Sequence, residues 1–92
     1  MSGSIVLPAR LDSAAAPELA AALKAQAGSD TKLDCGAVTH VGALCVQALL
    51  VAATSAAQAG HGFSIDGLPE AATDQLALYG LTAETLAKGF DA

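Results

Sequence analysis

The sequence predicts an α/β domain built from βαβ units, and three observations carry that expectation. A strand-like run, Thr31 to Cys35, is followed by a long helical stretch from Gly42 to Ala59 and then by a second strand-like run, Phe63 to Asp66. Parallel neighbours joined by a crossover helix are the economical way to pair two such strands, and the crossover is right-handed. Glycines at 28, 60, 67 and 80 close each periodic segment where a turn is needed. Finally, 92 residues hold one modest core but not two, so residues 1–92 form a single domain.

Each element follows from local signals. Ser4 to Leu7 is a short strand that stops at Pro8, which has no amide to donate. Asp12 or Ser13 offers an N-cap for a first helix, whose Leu19, Leu23 and Ala27 recur at helical spacing up to Gly28. Pro17 is tolerated because first-turn amides lack intrahelical acceptors. After the polar loop Gly28-Ser29-Asp30 comes the strand at Thr31, and Gly36 to Val41 finishes it or loops off its end. In the long helix, Gln47, Thr54 and Gln58 share one polar face with Ser55 beside them, and Gly60 ends it. Glu70 to Tyr79 is a third helix stopped by Gly80, and Ala83 to Ala87 forms a last short turn.

Composition narrows the function. The net charge is −5, and the four bases, Arg10, Lys24, Lys32 and Lys88, are scattered, so neither nucleic acid nor an anionic membrane surface is expected as a partner. The start, MSGSIVLPAR, lacks the layout of a signal peptide, and the apolar run from Val41 to Ala53 is too short to span a bilayer. A cytoplasmic chain with free thiols at Cys35 and Cys45 is therefore expected, without membrane insertion. Alanine makes up about a quarter of the chain, which suits close helix packing and leaves spare apolar surface for a protein partner.

In open α/β sheets function gathers beyond the carboxyl ends of the strands, which here is the loop from Val38 to Ala43. His40, Cys35 and Cys45 surround it, but His61 lies beyond the long helix, roughly 25 Å away at ~1.5 Å of rise per residue. The remaining groups have no metal-ligand spacing, so no metal is expected. Cys45 sits in the first helical turn, where amide dipoles lower a thiol's pKa, yet its apolar neighbours suit a buried thiol instead. No GxSxG elbow, phosphate-binding glycine loop or close carboxylate pair is present, so neither catalysis nor a cofactor is expected.

Three segments resemble one family, the STAS domains (sulphate transporter and anti-sigma-factor antagonist). LPARLDSAAAPELAAAL is similar to the opening of those domains, LDCGAVTHVGALCVQALL to their central strand–helix signature, and QLALYGL to their third helix and its exit, so the likeness runs from Ile5 to Leu81. The resemblance implies a mixed β-sheet with helices packed on one side. It also implies that an extra first strand, common in the family, is either missing or supplied by a neighbour.

It further implies a regulatory module that binds a signalling protein of a bacterial cell, such as an anti-sigma kinase or a chemotaxis-type protein. Aligned on Val38-Thr39, the family's capping Asp falls on Gly42 and its phosphorylated Ser on Ala43. The following Ser/Thr falls on Leu44 and the Gly on Cys45, so no phosphorylation is expected at the family position. Partner contact is assigned to Thr39, His40, Gly42, Ala43, Leu44 and Gln47. The alternative is a structural subunit bracing the ATPase of a bacterial lipid-transport ABC complex; a homodimer is compatible with either.

Overall fold

The computed structural model describes residues 3–89. In chain order its elements are β1 (Gly3–Val6), β2 (Arg10–Leu11), α1 (Ala16–Ala25), β3 (Thr31–Asp34), β4 (His40–Val41), α2 (Ala43–Ala59), β5 (Phe63–Asp66), α3 (Glu70–Leu78) and α4 (Ala83–Lys88). β3 is the centre of a three-stranded sheet ordered β1-β3-β5, and both pairings are parallel, with Ile5 opposite Leu33 and Leu33 opposite Ile65. The unit β3–α2–β5 is therefore the βαβ crossover expected from the sequence. Every strand pairing among the described residues is parallel. The expected question of an extra strand before β1 lies outside the described residues.

The sheet is covered on one face. Along β3, Thr31 and Leu33 are buried while Lys32 and Asp34 are exposed, the period-2 alternation of a strand with one wet side. Leu33 meets a core built almost wholly of short aliphatic side chains: Leu19 and Leu23 from α1, Val46 and Leu49 from α2, Leu76 from α3 and Leu86 from α4. No described aromatic is fully buried, so the core relies on close approach of alanine-rich helices rather than on bulky filling. α2 ends where Gly60 adopts φ 79°, a left-handed conformation that glycine reaches without steric cost.

Two expectations need correction. Asp12 and Ser13 do not cap α1. The helix starts at Ala16 with Ala15 in the capping position and no side-chain bond there. Asp12 instead closes the turn before it, its Oδ1 and its carbonyl each accepting the Ala15 amide at 3.1 Å, because a short carboxylate competes for nearby amides. The loop after β3 also contains structure that the sequence did not show. His40–Val41 pairs in parallel with Arg10–Leu11 as a separate two-stranded ribbon, too short to leave any periodicity.

Candidate functional site at the start of the long helix

The ribbon β2–β4 sets where α2 begins. The Ala9 carbonyl accepts the amides of Thr39 and His40 at 2.8 and 3.1 Å and the Thr39 hydroxyl at 3.2 Å. One step on, the Gly42 amide donates to the Leu11 carbonyl at 2.7 Å. Gly42 is the N-cap of α2, extended at φ −94° and ψ 160°, and its carbonyl accepts the first helical bond from Val46. That approach leaves no space for a side chain: a Cβ at position 42 would lie 2.8 Å from the Leu11 carbonyl oxygen. The capping side chain is thereby lost. With no acidic residue in the first turn, the amides after Gly42 have neither a capping oxygen nor a compensating charge.

A residue that the sequence analysis did not single out holds this lip in place. Gln75 of α3 accepts the Val41 amide on Oε1 at 2.7 Å and donates from Nε2 to the Thr39 carbonyl at 2.7 Å. One side-chain amide thus supplies the donor and acceptor that a third strand would have given β4. Tyr79, one helical turn on, donates its hydroxyl to the Val41 carbonyl at 3.4 Å. Only the neighbourhood of Gln75 in QLALYGL hinted at this role, through a polar residue in an otherwise apolar helix segment.

The six expected partner-contact residues form a continuous run of chain, but not all of their side chains are equally available. Ala43, Leu44 and Gln47 are exposed on the first two turns of α2, and Thr39 is exposed beside them. His40 and Gly42 are half-buried in the ribbon. Leu44 is 54% exposed, and Val51, two turns further along the same side of α2, is 57% exposed, so an apolar strip continues from the lip along the helix.

Neither thiol is placed for nucleophilic work. Cys35 and Cys45 are free and buried. Burial, reinforced by the carboxylates of Asp34 and Asp66, pushes the Cys35 thiol up to about 11. Cys45 is pushed up as well, by burial and then by Asp12, and its Sγ lies 3.4 Å from the Asp12 carbonyl oxygen, to which it donates. The dipole of α2 does not overcome that desolvation. Among the described residues no group of three or more His, Cys, Asp or Glu could hold a metal ion; His61 sits beside Asp30 at 3.9 Å beyond the other end of α2. No described helix is long and apolar enough to cross a membrane.

The resemblance carried by the central segment is borne out by comparison. The family model described as "Mlab, STAS domain" matches residues 2–87. Nothing among curated proteins or solved structures matches the chain at the significance required. A match over nearly the whole length, together with the α/β fold, identifies the chain as a member of the STAS domain family, a class of regulatory and binding modules.

Proposed function

We propose that the protein is a non-catalytic STAS-type binding module that docks a cytoplasmic signalling protein, such as an anti-sigma kinase or a chemotaxis-type protein. Its partner surface is the lip formed by Thr39, His40, Gly42, Ala43, Leu44 and Gln47, and it works without a serine phosphoswitch. The observation that carries this reading is Ala43, exposed at the first position of α2 and bearing a methyl group instead of a hydroxyl. Phosphate at a helix N-terminus would be stabilised by the amides there, and its charge would expel an apolar partner. With alanine the contact stays permanently in its unmodified form.

Incubation with a family kinase and ATP tests this directly. Intact-mass and fragment-ion analysis is expected to find no phosphate from Gly42 to Cys45, and the partner recovered by pull-down from the native cell is expected to stay bound. Thr39 is the nearest hydroxyl, and it already donates to the Ala9 carbonyl. Stoichiometric phosphate on Thr39 would mean that the switch had moved.

A second reading is favoured by one observation. The exposed strip from Leu44 to Val51 suits a permanent apolar interface more than an exchanging one. It supports a structural subunit that braces the ATPase of a bacterial lipid-transport ABC complex. The two readings part on exchange: a brace co-purifies at fixed stoichiometry, and a signalling module dissociates during gel filtration.

A further inference from the structure

β1 lies at one edge of the three-stranded sheet and is paired on one side only, with β3. The Leu7 amide donates to the Asp34 carbonyl at 2.9 Å, and Ile5 stands opposite Leu33 in the parallel register. Backbone groups alternate in direction along a strand, so Ile5 and Leu7 turn theirs toward β3. Ser4 and Val6 turn their N–H and C=O outward, and among the described residues none of these four groups has a hydrogen-bond partner. The strand also lacks the usual guards of an edge. Gly3–Val6 holds no charge and no proline, and Val6 is 72% exposed. The opposite edge differs, because α4 packs against β5 and brings Glu84 and Lys88 alongside Phe63 and Ile65.

We propose that a second copy of this chain pairs with the free edge of β1, antiparallel and about a two-fold axis at Ile5, so that the two sheets continue into one. With the axis there, Ser4 faces the partner's Val6 and Val6 faces the partner's Ser4, and each pair exchanges both of its hydrogen bonds. Every outward group of Ser4 and Val6 is then used. An axis at Val6 would instead set Ser4 against the partner's Pro8, which has no amide to give. The side chains fit the same occupant. Ser4 and Val6 share the wet face with Lys32 and Asp34, their neighbours in register. The antiparallel copy therefore lines up Lys32, Ser4, the partner's Val6 and the partner's Asp34 in one row, with opposite charges at its two ends. Ile5, half-buried on the covered face, meets its own copy in the close pair that carries no hydrogen bond. A contact three residues long falls short of the ~1,200 Å² of stable interfaces, so this dimer is reversible. None of the six lip residues lies in β1, and the pairing does not rest on the partner reading above.

Sedimentation velocity of the full chain across a dilution series, with amide exchange by NMR on the same samples, tests the pairing. The wild type is expected to move from monomer toward dimer as concentration rises. Exchange at Ser4 and Val6 should slow with it, while Ile5 and Leu7, bonded to β3 in either state, should stay slow throughout. A sample mixing labelled and unlabelled chains should show an Hα–Hα contact between Ile5 and the partner's Ile5. Val6→Pro removes an outward amide without touching the β1–β3 ladder and is expected to weaken the dimer about tenfold or more. Val6→Lys leaves the backbone whole, sets a cation on the edge, and should weaken it similarly. Melting curves check that both variants fold, and Val6→Lys carries the test if Val6→Pro does not. A wild type that is still monomeric at millimolar concentration, a dimer that both folded variants retain unweakened, or slowed exchange at Leu44 and Gln47 in place of Ser4 and Val6 would overturn the proposal.

Discussion

At the scale of the single residue, the departures from the family pattern explain one another. Gly42 stands where the family places a capping Asp, and the backbone of β2 occupies the space a Cβ would need. Restoring a side chain should therefore disrupt the ribbon more than it helps the helix. Gly42→Ala is expected to lower stability by about 1–2 kcal/mol although its φ and ψ suit any residue. Urea denaturation measures it, and an unchanged midpoint would show that the ribbon yields freely. The thiols make a second prediction, this one in pH. Cys35 ionises near 11 in the folded chain against an ordinary 9.0, so the unfolded chain releases its proton first. Its contribution to stability is complete below pH 9 and declines as pH rises toward 11. Melting temperatures across that window should fall more steeply for the wild type than for Cys35→Ala; parallel slopes would contradict the assignment.

At the scale of the element, α3 acts as the third strand of the small ribbon through one side chain. Gln75→Leu leaves the Val41 amide and the Thr39 carbonyl without their partner, and Val41 is buried. A loss of about 1–3 kcal/mol is expected, the usual cost of an orphaned buried polar group. Hydrogen exchange should quicken first at Val41 and Gly42. Uniform quickening across all elements would mean that Gln75 supports the core at large rather than the lip. The same clamp shows where sequence patterns lose their force. The strands β3 and β5 and the ends of α2 and α3 were legible because periodicity and glycine stops agree over many residues. The ribbon was not, since two residues carry no period and its pairing joins distant parts of the chain. Gln75 was missed for a related reason, because its partners are backbone groups that leave no mark in sequence. The cap of α1 was misplaced by Asp12, whose side chain serves the preceding turn as readily as a helix start.

At the scale of the whole molecule, the long helix separates two ends with different chemistry. The lip at its start is held by the ribbon and α3 and presents Ala43, Leu44 and Gln47 outward; His61 lies past its far end, on the opposite side of the crossover. The position of Ala43 at the strand–helix junction was legible from Val38-Thr39, and its exposure agrees with that expectation. Partner contact at the lip is the central functional claim, and Ala43→Glu addresses it most directly, measured by thermal melt and pull-down beside His61→Glu. A carboxylate at the first position of α2 should leave the melting temperature unchanged, or raise stability by ~0.3–1 kcal/mol through the helix dipole. Against an apolar partner surface the same charge should cost roughly 2–5 kcal/mol, a loss of about thirty-fold or more in affinity. The expected result is a folded Ala43→Glu protein that no longer retains its partner, while His61→Glu still does. A folded Ala43→Glu protein that retains every native partner would contradict the placement of the interface at the lip.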